Sequence, residues 1–171
     1  MSLAIGSHPG RTETYELVPS RYALRVGEID VLVISDGVFP LEAATLATNA
    51  DPAELAAWLD ERLQPPNVYP WPLNVAVVRS GGRTVLIDSG VGSEFPDFPQ
   101  VGRLATRMDA AGIDPASVTD VVLTHLHVDH VGGLLAGGLR GRLRPDVPIH
   151  LAAALRRPGP ERPSATRGGE R

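Results

Sequence analysis

The chain of 171 residues has no cysteine, no lysine, eight aromatic residues and five histidines. Without cysteine there is no disulfide, no thiolate metal site and no cysteine nucleophile, so any metal must be held by nitrogen and oxygen donors. Without lysine all 16 basic residues are arginine, which, with the richness in Ala, Gly and Pro, reads as coding bias rather than function. No apolar run approaches the length that spans a bilayer. The first residues, MSLAIGSHPGRTETYELV, lack the basic segment and long apolar stretch of a secretory signal. No membrane partner and a cytoplasmic location are therefore expected.

What is present suits one soluble globular domain, at 43% hydrophobic and 21% charged residues. The charge is unevenly spread. The net charge is −4, but residues 156–171, RRPGPERPSATRGGER, carry five arginines against two glutamates, which leaves the body at −7. An acidic body repels nucleic acid, and the tail has no aromatic residue to stack on a base, so no nucleic-acid partner is expected. Three prolines, three glycines and almost no apolar residues mark 156–171 as a disordered tail. The expected organisation is a flexible segment over 1–21, a domain over 22–155 and that tail. The run from Leu151 to Leu155 reads as the start of a packed element that is then cut off.

Along the domain, EIDVLVI at 28–34 is a short β-branched run ended by Ser35-Asp36-Gly37, a turn signal, and predicts a strand. DPAELAAWLDERL at 51–63 opens with an N-cap aspartate and a proline at the first helical position. Its Leu55, Trp58, Leu59 and Leu63 form one stripe, and Pro65 and Pro66 stop it. Residues 73–90 read as two strands joined around Gly81-Gly82, a pair free to adopt positive φ in a tight hairpin. PQVGRLATRMDAAGI at 99–113 predicts a second helix, with Val101, Leu104, Met108 and Ala111 on one side and Gly112 as its cap. Val118–Thr124 and the stretch from Val147 to about Leu151 predict two further strands.

The strand at 118–124 runs straight into THLHVDHVGG, which gathers three of the five histidines within six positions. In an extended segment alternate side chains share a face, so His125 and His127 can converge on one cation. A turn after residue 127 would redirect Asp129 and His130 to a second point nearby, the pattern of a two-metal site. Each metal would acidify a water to hydroxide near neutral pH while both polarise a substrate oxygen. Gly132-Gly133 allows close approach, and a helix can begin there. His150, in a strand beside apolar neighbours, is expected to be a packing residue, and His8 is given no role. Trp71, Phe95 and Phe98 are placed in loops that can wall an apolar pocket or serve as plain core. Asp88, ending the strand TVLID, belongs to an Asp-Ser-Gly that is also an ordinary turn.

THLHVDHVGG together with TVLIDSG resembles the metallo-β-lactamase fold superfamily of metal-dependent hydrolases. RVGEIDVLVISDGVFPL resembles the amino-terminal strand of its methyl parathion hydrolase and acyl-homoserine lactonase-like members. The resemblance covers about residues 22–152 and implies an α+β fold, the αββα sandwich. It implies that His125 and His127 bind a first zinc and that Asp129 and His130 bind a second, with Asp129 also steering a proton and Asp88 supporting the metal loop from behind. Iron or manganese suits the same donors. The implied activity is hydrolysis of a small-molecule lactone, ester or phosphotriester, and His130 in the fourth place disfavours a true β-lactamase. An iron-dependent oxygenase of the same superfamily shares the motif.

The family completes its two sites with a third histidine, a bridging aspartate and a last histidine from the carboxy-terminal half of the sandwich. His150 comes too soon after the motif to serve as the third. The expectation is thus a domain truncated to its amino-terminal half, either inactive alone or pooling ligands between two copies. Such a domain leaves a sheet face exposed and prone to self-association.

Overall fold

In the computed structural model, which describes residues 19–65 and 67–153, six strands form one mixed sheet in the order β1-β2-β3-β4-β5-β6. Of the flexible segment expected over 1–21, residues 1–18 lie outside the described residues, as does the tail from 156, while Arg21 already belongs to the first strand. Strands β1 (Arg21–Val26), β2 (Ile29–Glu42), β3 (Val68–Ser80) and β4 (Arg83–Ile87) pair antiparallel in sequence. Strands β5 (Asp120–Leu123) and β6 (Ile149–Leu151) then join in parallel. Antiparallel neighbours need only tight turns, and the expected hairpin at Gly81-Gly82 is one of them. Parallel neighbours need a crossover, supplied before β5 by helix α3 (Leu104–Ala110) and before β6 by α4 (Val128–Leu135) and α5 (Leu139–Arg142). The crossover elements bury Leu104, Met108, Ile113, Val118, Leu139, Leu143 and Val147 against Ile34, Val75, Val77, Leu86, Val121 and Leu123 on one sheet face.

Alternation places Tyr22, Leu24 and Val26 of β1 on the opposite face with Val31, Val33, Val78, Val85 and Val122. That face stays partly exposed, and Tyr22 is 68% exposed. Among the described residues no helix is long and apolar enough to cross a membrane.

Several readings of the sequence are corrected. Ser35-Asp36-Gly37 does not end the strand: β2 continues to Glu42, with a register shift between Ser35 and Gly37 where one extra residue is accommodated as a bulge. Trp71 lies within β3, not in a loop, because the strand begins at Val68. Pro70 and Pro72 are tolerated there because that half of β3 pairs only with β2, while β4 joins from Ala76 onward. Leu63 does not extend the stripe of α2 (Pro52–Asp60). The helix stops at Asp60, and Leu63 takes a left-handed φ of 55° at 94% exposure, because Pro65 blocks continuation. Trp58 is also exposed, under the Arg62 guanidinium at 3.9 Å. Leu59 alone of that stripe is fully buried.

The expected N-cap is formed, with Asp51 Oδ1 accepting from the amides of Ala53 and Glu54. A short helix, α1 (Ala43–Leu46), precedes it. Helix α3 is shorter than its periodic pattern, since residues 99–103 form turns, but Gly112 closes it at φ 68° with the Ile113 amide donating to the Met108 carbonyl.

His150 is not a packing residue. Its half-exposed ring places Nε2 2.9 Å from the buried carboxylate of Asp120, which also accepts from Arg83 and from the Thr119 hydroxyl at 2.7 Å. The Arg83 guanidinium foremost, with Thr119 and His150, holds the Asp120 carboxyl well below the usual carboxylate range. A carboxylate shifted downward in the folded state contributes stability above its unfolded pKa and loses it as the pH falls. The Asp120→Asn variant is therefore expected to melt below the wild type at pH 7, with the gap narrowing as the pH is lowered through 4 toward 2. Thermal melts of both proteins across that range measure it. In the core, Leu86→Ala on the central strand β4 is expected to cost about 2–5 kcal/mol, read as a lower urea midpoint.

Candidate metal centre

The motif sits at the carboxyl end of β5. His125 lies in the loop, His127 is the N-cap of α4, and Asp129 and His130 occupy its first turn. The helix thus begins at Val128, four residues earlier than the glycine pair, which lies inside it. Asp129 in that turn favours the start, since a carboxylate faces the positive end of the helix dipole. Two glycines inside a helix each cost about 1 kcal/mol relative to alanine, and packing explains their presence. A Cβ on Gly132 would overlap the Val91 carbonyl and one on Gly133 the Ser89 carbonyl. The Gly133 amide donates to the Gly90 carbonyl at 3.0 Å, and the amide and hydroxyl of Ser89 both donate to the His130 carbonyl, at 2.8 and 2.9 Å.

This contact lays the loop after β4 directly along α4 and brings Asp88 under the motif. Asp88 has a left-handed φ of 66°, a conformation Asp adopts more readily than most residues. Its buried carboxylate accepts from the Thr124 amide at 2.8 Å and from the Thr124 hydroxyl. Its Oδ2 lies 2.8 Å from His130 Nδ1. A carboxylate at that distance orients the ring through Nδ1 and turns its other nitrogen, Nε2, toward Asp129. Thr124 Oγ also reaches His125 Nδ1 at 3.1 Å and His130 Nδ1 at 3.2 Å. Thr124 is the residue that the sequence reading missed; its only signal is its place between a buried strand and the first histidine.

The candidate donors gather beside one another after β5. The rings of His125 and His127 have centroids 4.6 Å apart, those of His125 and His130 3.8 Å apart, and His130 Nε2 lies 3.1 Å from Asp129 Oδ2. Among the described residues no group of three or more His, Asp or Glu side chains is arranged to hold one ion. The residues thus fit a metal in donor type, while the three protein ligands of a catalytic zinc are not assembled among the described residues.

Beside the motif, a cavity of about 250 Å³ is lined by Phe39, Trp71, Leu73, Val91, Phe95, His127 and Asp129, among others. Phe39, Phe95 and Phe98 stack with one another, Phe39 to Phe95 edge-on at 5.0 Å. Phe95 and Phe98 are in the loop after β4 as expected, and Trp71 reaches the cavity from β3.

The family model of the metallo-beta-lactamase superfamily matches residues 68–169, more than half of the chain. The chain belongs to this superfamily. The mixed sheet with its helices matches the superfamily fold. A ribonuclease Z of Aeropyrum pernix is 29% identical over 94 residues, which are 53% of this chain and 27% of that protein. Among solved structures, AidC, a dizinc quorum-quenching lactonase, superposes with a TM-score of 0.61 at 25% identity over 67% of this chain and 39% of that one. The hydrolase AbOPH of the beta lactamase superfamily gives 0.59 at 26% over 68% and 40%. A metal-dependent hydrolase from Staphylococcus aureus shares the fold, with a TM-score of 0.53 at 17% identity over 65% of this chain and 42% of that one. The chain therefore spans well under half the length of these relatives. Membership of the superfamily implies a divalent metal, and AidC is a dizinc enzyme.

In an exposed helix Gly→Ala stabilises by about 0.4–1 kcal/mol. Gly132→Ala is expected to do the reverse and cost about 1–3 kcal/mol, because the added methyl meets backbone that cannot swing aside. Urea denaturation of the variant checks the sign.

Proposed function

We propose that this chain carries the metal centre of a hydrolase acting on a small-molecule lactone, ester or phosphotriester. The observation that carries the reading is the gathering of His125, His127, Asp129 and His130 after β5, backed by the Asp88 carboxylate on His130 Nδ1. In this reading His125 and His127 hold one zinc and Asp129 and His130 another. Metal ions bound there would bring the pKa of a water toward neutrality and polarise a carbonyl or phosphoryl oxygen.

The chain's own residues do the rest. Asp88 and Thr124 fix the His130 ring so that Nε2 faces Asp129. Asp129 is partly open to solvent, and its oxygen that does not face His130 would take up the proton of the attacking water and return it to the leaving oxygen. The aromatic cavity beside His127 receives the apolar part of the substrate and keeps bulk water from it. The similarity to AidC, a lactonase, supports a small ester-like substrate. The acidic body and the lack of an aromatic platform in the tail speak against the nucleic-acid substrate that the name ribonuclease Z suggests.

A second reading is that the chain by itself does not turn over, and one observation favours it: the three protein ligands of a catalytic zinc are not assembled among the described residues. Two copies associating through the partly exposed sheet face, with Tyr22, Leu24 and Val26, would be the way to pool ligands.

Zinc content per chain after gel filtration, with hydrolysis of a hexanoyl lactone, an aryl ester and an aryl phosphotriester on the same fractions, separates the readings. The hydrolase reading expects about two zinc ions per chain and an activity that His127→Ala abolishes together with part of the zinc. Folded protein without zinc or turnover supports the second reading, and activity confined to dimeric fractions supports pooling. Iron in place of zinc, with oxygen uptake, would move the assignment to the oxygenases.

A further inference from the structure

We infer that Asp36, at the bulge of β2, is a positioning residue for the metal centre: it clamps the loop after β4, and through that loop sets the place of His130. The inference rests on the metal-centre reading above and extends it to a residue that touches none of the proposed ligands. Asp36 is fully buried. Its Oδ2 accepts from the Val91 amide and its Oδ1 from the Leu104 amide, both at 2.8 Å, and its carbonyl accepts from the Arg103 amide at 2.9 Å. Nothing apolar could stand there without leaving two buried N–H groups unpaired. Burial pushes the carboxyl up, and the two amides, with Arg107 nearby, pull it back.

The connection to the motif is short and each link is a bond. One end of the loop is tied to the sheet, since the Asp88 amide donates to the Val122 carbonyl at 2.8 Å. The other end is tied to Asp36 through Val91. Between these two ties lie the groups of the loop that grip α4: the Asp88 carboxylate on His130 Nδ1, the Ser89 amide and hydroxyl on the His130 carbonyl, and the Gly90 carbonyl on the Gly133 amide. With the second tie released, the Val91 end keeps only the packing of its side chain on Leu73 and Val101, and the grip of the loop on His130 loosens. Gly90 shows how closely the clamp fits. At φ 70° a Cβ there would press into the Asp36 carboxylate.

The test is amide hydrogen exchange on the full chain, comparing Asp36→Asn with Leu86→Ala as a control that weakens the core without touching the loop. Asparagine keeps the shape but presents an N–H₂ to one of the two amide donors. Positioning predicts that exchange at Ser89, Val91 and Gly133 accelerates at least about tenfold more than at the amides of β3 in Asp36→Asn, while Leu86→Ala accelerates all of them by a common factor. A common factor in Asp36→Asn, or unchanged loop amides, would overturn the inference. Should Asp36→Asn fail to fold, Gly90→Ala disturbs the same clamp with the carboxylate retained, and the same localised pattern is required of it. Cobalt titration, followed by visible absorption, adds a second readout. Where the wild type binds cobalt, Asp36→Asn should weaken binding by about tenfold or more, and unchanged affinity would count against positioning. Where the wild type binds none, the metal reading fails, and the exchange pattern alone decides the role of Asp36.

Discussion

The carboxylate of Asp88 is the constraint around which this half-sheet is arranged. It is buried, it takes the amide and hydroxyl of Thr124, and it faces His130 Nδ1, so the end of β4, the end of β5 and the first turn of α4 meet at one group. A buried carboxylate is tolerable only when its oxygens are fully engaged. Here the partners that satisfy it are the motif itself. The cost of burying Asp88 and the orientation of His130 are thus settled by the same bonds.

Around this point the chain trades side-chain bulk for closeness. Gly132 and Gly133 weaken α4 as a helix, yet they let it lie on the carbonyls of Ser89 and Val91, with the Gly133 amide bonded to Gly90. Asp129 and His130 therefore stand on a rigid element, with His127 at its cap and His125 in the short loop before it. The two sheet faces divide the labour. One buries the crossover helices and supplies the stability, while the ends of β4 and β5 supply the site, as is usual where ligands gather at the carboxyl ends of strands.

Much of the centre was legible because it is local. Four donors within six positions after a β-branched run need no tertiary information to be noticed, and the period of two along an extended segment already pairs His125 with His127. Asp88 stood out only through its resemblance to the family, since an Asp-Ser-Gly after a strand is equally a turn. Trp71 was placed in a loop but lies in β3, whose first half carries Pro70 and Pro72 and has a neighbour on one side only. His150 was misjudged from its apolar neighbours in sequence, when its partner, Asp120, lies 30 residues away on β5.

The hairpin, the capped helices and the superfamily were legible in the sequence alone, because each rests on residues close together in the chain: a glycine pair, an Asp-Pro start, a local His-Asp cluster. Only the tertiary structure decided what Ser35-Asp36-Gly37 does. Its local chemistry is that of a turn, but its carboxylate finds amides 55 and 68 residues further on, and those bonds keep the strand running and the loop in place. A short-range preference worth a fraction of a kilocalorie gives way when a buried charge must find its donors, and those donors are assembled only by the folded sheet.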